Sequence, residues 1–203
     1  MVAAALPFEF TTPLTTERLT IRLLTEADTD AVHAYQSRED VCRYLLFEPR
    51  TRDEVKARLA VHATHTRLEK DGDYLQLAVE RTSDGQVIGD LYFTIKSVEN
   101  DCGEIGWSFH PDFNGQGYAT EGARRILDLA FDTLNLHRVI AELDPRNERS
   151  IALCRRLGMR EEAHFVEDMW FKGDWADTGI YGLLAREFES HRLGGQPTPS
   201  VLT

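Results

Sequence analysis

The sequence predicts a mixed α/β fold, α+β in layout, with a mostly antiparallel sheet and flanking helices in one domain. Three observations carry this. Residues 74–81, 86–96 and 103–109 follow one another with period-two alternation, as strands joined by short turns do. Apolar residues then recur at Ala123, Ile126, Leu127, Ala130, Phe131 and Leu134, which is helical spacing. A further strand-like run, Arg138–Leu143, follows, so a helical crossover joins two strands of the sheet.

Taken in order, residues 1–15 read as an irregular arm, 16–188 as the domain and 189–203 as a tail. Residues 18–23 alternate and form the first strand. Thr25-Glu26-Ala27-Asp28 is a capping pattern that opens a helix to about Ser37. A short helix near residues 40–45 stops before Pro49. Thr51-Arg52-Asp53-Glu54 caps a charge-rich helix expected to run to about Lys70. Thr82-Ser83-Asp84-Gly85 is a hairpin signal, and Glu99-Asn100-Asp101 turns the chain into the next strand. Asp144-Pro145-Arg146-Asn147 leaves the strand 138–143, and Ser150 opens a helix closed by Gly158 as its C-cap glycine. Two last strands, near 160–171 and 177–186, flank Lys172-Gly173-Asp174. The tail holds Gly194, Gly195, Pro197 and Pro199 and reads as loose.

Composition narrows the function. With 203 residues, 42% hydrophobic and 28% charged, the chain reads as one ordinary globular domain. It contains no apolar run of about 18 residues, so no membrane partner is expected. The opening MVAAALPFEF lacks a basic segment and carries Pro7, which argues against a secretory signal. Cys42, Cys102 and Cys154 form no CxxC pair, which fits a reducing, cytoplasmic setting. The seven histidines show no HExxH spacing, so no metal is expected. A net charge of −11 argues against a nucleic-acid partner and suits a cationic one, although an acidic surface also serves solubility alone.

The stretch 105–121 holds the chemistry. A strand runs into a loop with Gly115 and Gly117, and the loop runs into a helix. Glycines let the backbone approach an anion, and a helix start presents free N–H groups at the positive end of its dipole. Together they make a phosphate seat, although a plain strand-to-helix turn has the same glycines. There is no GKS or GKT and no GxGxxG, so neither a Walker A nor a Rossmann loop is present.

Asn114-Gly115-Gln116-Gly117-Tyr118-Ala119 resembles the Q/R-x-x-G-x-G/A acyl-CoA loop of the GNAT superfamily of N-acetyltransferases. The resemblance is closest to its RimJ/RimL-like branch of ribosomal-protein alanine acetyltransferases. It extends through Thr16-Glu17-Arg18-Leu19, Gly117-Tyr118-Ala119-Thr120-Glu121, Leu136-His137-Arg138-Val139, Asn147-Glu148-Arg149-Ser150, Leu157-Gly158-Met159 and Gly173-Asp174-Trp175-Ala176-Asp177, over about residues 15–187. Asn114 stands where the loop has Gln or Arg, and Met159 where an aromatic is usual.

The resemblance implies a single GNAT-like domain whose central strand pair splays at a bulge. It implies acetyl-CoA as co-substrate and direct attack by an amine. The loop residues Asn114, Gly115, Gln116, Gly117, Tyr118, Ala119 and Thr120 would hold the pyrophosphate, chiefly through backbone N–H groups. Trp107, Ser108 and Phe109 would pair with the pantetheine arm. An N–H near Phe109 or His110 would polarise the thioester carbonyl, while the His110 imidazole reads as structural. Asn147 and Ser150 would touch the pantetheine or the sulfur, besides capping their helix.

Direct transfer needs a base for the amine. Glu142 is the first candidate, because a carboxylate in a strand covered on both faces is costly without a partner; the alternative is an ion pair with Arg138 or Arg160. Glu104 is the second candidate. Glu162, Glu167 and Asp168 read as solvated or structural. The leaving thiolate needs a proton, and Cys154 stands where many relatives have tyrosine, so Ser150 or water is the donor. The acceptor partner is a protein N-terminus, a polyamine or other small amine, or an aminated antibiotic or sugar. It is expected to touch residues 26–70 and 164–178. A longer acyl group such as succinyl also fits, and a homodimer is expected. A non-catalytic CoA-binding sensor of the same fold is the alternative, supported by the missing tyrosine.

Overall fold

The computed structural model describes residues 4–192. The arm forms β1 (Phe8–Glu9) and β2 (Leu14–Thr15) before β3 (Leu19–Leu23). A short 3-10 turn at Glu26–Asp28 leads into α1 (Thr29–Gln36), α2 (Glu39–Cys42) and α3 (Arg52–His62). After β4 (Arg67–Leu68) come β5 (Tyr74–Arg81), β6 (Val87–Ser97) and β7 (Cys102–Phe109). The crossover helix α4 (Tyr118–Asp128) runs on into a π turn at Leu129–Thr133 and delivers β8 (Arg138–Leu143). α5 (Glu148–Leu157), β9 (Arg160–Phe171), β10 (Asp174–Leu184) and α6 (Ala185–Arg192) complete the described chain.

One sheet of eight strands runs β2-β3-β5-β6-β7-β8-β10-β9, and β1 pairs separately with β4. Every pairing in the large sheet is antiparallel except β7 with β8. That exception follows from α4, since a crossover of helical length returns the chain in the same direction. Alternate strand residues face opposite sides. On one face Leu77, Leu91, Phe93, Ile105, Val139 and Ala141 pack with Ile126 and Leu127 of α4 and Leu153 of α5. On the other, Val32, Tyr35, Val55 and Leu59 of α1 and α3 cover Ala78 and Val87. Among the described residues no helix continues that second cover across β7 and β8, where Glu104 is half-buried and Glu142 exposed.

Four expectations are corrected. The arm is not irregular: Phe10 is buried, and Phe8 pairs with Leu68 across β1 and β4. The helix begun at Thr51 stops at His62, because residues 67–68 are needed as that partner strand. α5 is capped by Asn147, not Ser150, and Gly158 closes it as expected. Residues 189–192 continue α6, in which buried Phe188 rests on Phe131 with ring centroids 5.1 Å apart. The glycines and prolines of the tail lie outside the described residues.

Under α1, Asp90 of β6 is fully enclosed. It accepts hydrogen bonds from Tyr35 Oη at 2.6 Å, Gln36 Nε2 at 3.4 Å and Gln76 Nε2 at 2.5 Å. Burial pushes its carboxyl up to about 6, against the pull of those donors. The native state therefore binds this proton more tightly than the unfolded chain, which titrates near the ordinary 3.8. The stabilising contribution is full below the unfolded value and is lost as pH rises through the folded one. Asp90→Asn removes the titration. The stability difference, wild type minus variant, is expected to fall by about 3 kcal/mol between about pH 3 and 7. Urea unfolding at each pH checks this, and a flat difference would refute it.

Candidate active site

β7 and β8 pair at only three positions, Cys102↔Arg138, Gly103↔Val139 and Glu104↔Ile140. Beyond them β7 stays on β6 as far as Phe109, and β8 stays on β10 as far as Leu143. The two strands part and leave a wedge-shaped gap. Hydrogen-bonded and non-bonded positions alternate along an antiparallel ladder. His110 N–H donates to the Ile88 carbonyl at 2.9 Å, so Gly89↔Phe109 and Leu91↔Trp107 are non-bonded positions. The N–H and C=O groups of Trp107 and Phe109 therefore turn away from β6 and into the gap. Two expectations change here. The His110 N–H is taken by Ile88, which leaves Phe109 and Trp107 as donors. The register shift between β6 and β7 lies at Ile95 and Ser97, by the hairpin turn and away from the parting point.

The wide end of the gap meets the glycine loop. Gly115 and Gly117 have φ of +76° and +84°, a conformation glycine adopts at little cost, and Gly117 is the N-cap of α4. Among the described residues, the N–H groups of Gly115, Gln116 and Gly117 meet no main-chain acceptor. The loop is pinned from just before β3. Arg18 donates through Nη1 to the Gln116 carbonyl at 3.0 Å and through Nε to Glu121 at 2.7 Å. Glu121 also accepts from Thr16 Oγ1 at 2.6 Å. Burial pushes the Glu121 carboxyl up, but these donors outweigh it and hold it below its ordinary range. Two further arginines border the loop: Arg81, whose guanidinium lies 5.0 Å from the Phe113 ring centre, and Arg156, which donates to Thr120 Oγ1 at 3.2 Å. The His110 ring is tied to its own turn, its Nδ1 accepting from Asp112 N–H at 3.2 Å.

At the inner end, Trp107 Nε1 donates to Ser150 Oγ at 3.1 Å, and Asn147 Oδ1 accepts from Ser150 N–H at 3.2 Å. The Ser150 hydroxyl accepts from the indole, so its own proton is free to be donated. Cys154 is buried, and burial pushes its thiol up to about 12, which removes it as a thiolate or proton donor near neutral pH.

Where β7 and β8 part, Lys96 of β6 holds both candidate bases. Its Nζ lies 2.9 Å from Glu104 Oε2 and 2.6 Å from Glu142 Oε1. Glu142 is not covered on both faces: its side chain is 36% exposed and that of Glu104 19%. Its partner is neither Arg138 nor Arg160, which both bind Glu162. Burial pushes the Glu104 carboxyl above its ordinary range; Lys96 pulls it down and Glu142 adds to the rise. Ser108 Oγ, one residue from Trp107, is buried without a partner.

Sequence reasoning missed Lys96, Arg81 and Arg156, because single cations in strands and helices carry no spacing signal. The pairing of Arg18 with Glu121 was present as two separate motifs. A cavity of about 190 Å³ opens between Arg43 and Tyr44, Arg146, and the β9–β10 tip at Phe171, Lys172 and Asp174. Except for Arg146, its lining falls within the two segments expected to meet the acceptor. Among the described residues, no group of three His, Cys, Asp or Glu is placed to hold a metal, and no helix is long and apolar enough to cross a membrane.

The family described as "Acetyltransferase (GNAT) domain" matches residues 18–160. The uncharacterized N-acetyltransferase YnaD of Bacillus subtilis is 31% identical over 175 residues, covering 86% of this chain and 98% of that protein. Among solved structures, a GNAT-family acetyltransferase from Bacillus anthracis has a TM-score of 0.78 at 29% identity, covering 87% of this chain and 100% of its own. The spermidine N-acetyltransferase of Vibrio cholerae, in complex with CoA and spermine, shares the fold with a TM-score of 0.72 at 23% identity, over 86% and 99% of the two chains.

A side chain at Gly117 would be strained at φ +84°, and its Cβ would come 3.4 Å from Arg18 Nη2. The local cost is roughly 1–2 kcal/mol, small enough to leave the fold in place. Gly117→Trp is therefore expected to give a folded protein that no longer binds CoA. Calorimetric titration with CoA on protein checked by circular dichroism reads this, and normal binding would show that the phosphate seat lies elsewhere.

Proposed function

This chain belongs to the GNAT acetyltransferase family and is an acetyl-CoA-dependent N-acetyltransferase; on that premise we propose that a primary amine attacks directly in the gap between β7 and β8. The parting of these strands carries the reading, because it leaves main-chain donors facing a space that adjoins a phosphate seat. The residues present fit CoA. The glycine loop offers unpaired N–H groups, and Arg156, which has no carboxylate partner among the described residues, stands beside it with Arg18 and Arg81. The free edge of Trp107 and Phe109 suits an arm that carries amides.

Acetyl-CoA supplies an acetyl group activated as a thioester. A C–N bond forms to the amine and the C–S bond breaks. Trp107 and Phe109 N–H groups stabilise the charge that gathers on the carbonyl oxygen. The amine's proton passes to a carboxylate, directly or through water. Glu104 takes first place for this role and Glu142 second, the reverse of the order expected from sequence. Glu104 is the last paired residue before the strands part and is the more enclosed of the two. Ser150, taking a proton from water as it gives its own, relays one to the thiolate, a role its bond from Trp107 supports.

The acceptor is a protein N-terminus or a small amine, entering past Tyr44 and the β9–β10 tip. The RimJ/RimL-like assignment rests on the Thr16-Glu17-Arg18 and Thr120-Glu121 motifs, which bind one another here. A homodimer is part of the proposal. The sheet ends on β9, where Phe165, Val166 and Trp170 are exposed. The three free, buried cysteines suit the cytoplasm.

Acetyl-CoA is expected to stabilise the fold by about 2.7 kcal/mol at a hundredfold excess over its dissociation constant. ATP and NAD should do far less, and equal melting shifts from all three would remove the reading. Thiol release with a panel of amines then tests turnover. Glu104→Gln should lower it by on the order of 10²–10⁴ near neutral pH, with CoA binding unchanged and partial recovery at high pH, where more of the amine arrives neutral. Wild-type turnover by Glu104→Gln moves the role to Glu142. Wild-type turnover by both single variants leaves no dedicated base.

A further inference from the structure

Lys96 has no part in binding CoA or in moving protons as described above, yet it contacts both carboxylates that could serve as base. We propose that Lys96 is a positioning residue of the reaction: its ammonium straps Glu104 to Glu142 across the parting strands and makes them one acid–base unit beside the gap. The proposal rests on the direct-attack reading.

The geometry is specific. Lys96, Glu104 and Glu142 come from three successive strands, β6, β7 and β8. Main-chain bonding between β7 and β8 ends at Glu104↔Ile140, and Glu142 lies two residues beyond, on the free stretch of β8. Lys96 therefore reaches past β7 to a strand with which β6 shares no ladder. Its contact with Glu142, at 2.6 Å, ties β8 back just where the backbone has let go. It thereby limits how far the gap opens and fixes where both carboxylates point.

The charge balance serves the same end. Two carboxylates and one ammonium leave a net charge of −1, open on the uncovered face of the sheet. One further cation, the acceptor ammonium, completes the balance. Lys96 and Tyr92 from β6 and Glu142 from β8 face Glu104, and Cys102 precedes it on β7. Among the described residues Lys96 is the cation that touches both carboxylates, while Arg138, beside Cys102, is held by Glu162. Without it, two carboxylates meet with no counter-charge, and one of them keeps its proton to higher pH. A protonated carboxyl cannot accept the amine's proton. Burial alone would lower the affinity of Lys96 for its proton, but the bonds to the two glutamates outweigh that and raise it, so it stays charged throughout the working range.

The test uses the full chain with saturating acetyl-CoA and the best amine from the panel, from about pH 5.5 to 9.5. Wild type, Lys96→Met and Lys96→Arg are compared by thiol release, and melting curves establish that each is folded. The Lys96 side chain is 43% exposed, so Lys96→Met should fold; Lys96→Gln is the second neutral variant. The expected result is an acid limb of kcat/KM for the amine displaced upward by about one pH unit or more in both neutral variants. That is about a tenfold loss on the acid limb, below the displaced midpoint, with recovery toward wild type at the alkaline end. Lys96→Arg should restore the wild-type profile, and the KM for acetyl-CoA should stay within about twofold in all four proteins. An unmoved acid limb in the folded neutral variants overturns the proposal. So does an equal loss at every pH, which marks a structural ion pair. Absence of thiol release by wild type with every amine would instead overturn the direct-attack reading, and this proposal with it.

Discussion

Parallel strands that stop pairing after three residues leave main-chain donors and acceptors stranded in the middle of a sheet. Such groups are costly when buried without partners. The parting of β7 and β8 therefore has to be fixed in width from both sides, and much of the surrounding structure does this. β7 is kept on β6 as far as the His110–Ile88 bond, and β8 is kept on β10 along its whole length. Trp107 leans across to Ser150 on α5, and Lys96 draws in the far side. What results is a rigid slot whose free edge can serve an extended, amide-bearing guest as a neighbouring strand would.

The loop at the wide end depends on a distant segment. Arg18, just before β3, grips the Gln116 carbonyl and at the same time neutralises Glu121 in the first turn of α4. An acid near a helix N-terminus stabilises the helix but would repel a phosphate there. Pairing that acid with Arg18 and Thr16 keeps the first benefit and removes much of the repulsion. This gives a physical reason for Thr16-Glu17-Arg18 and Thr120-Glu121 to occur in one chain, about a hundred residues apart.

Much of this was legible in the sequence because it rests on local rules. The strands at 74–81 and 138–143, the capping box at Thr51, the glycine loop and the C-cap at Gly158 each have a signal within a few residues. The arm has one too, since Leu6, Phe8 and Phe10 alternate, but nearby prolines mask that period. What could not be read was pairing at long range. The length of contact between β7 and β8 and the reach of Lys96 over a neighbouring strand depend on register, which no window of residues encodes. The misjudged surroundings of Glu142 have the same origin. Its strand is central in the sheet, but helices cover only one of its faces at that point.

The cysteines have a practical side. Cys42, Cys102 and Cys154 are all buried, and burial pushes each thiol above its ordinary range. Attack on disulfides and electrophiles requires an accessible thiolate. The folded chain should therefore be nearly inert to alkylating agents, peroxide and mixed-disulfide formation, and should become reactive only as it opens. Its thiols thus act as built-in reporters of unfolding, dark in the native state and revealed when the chain opens.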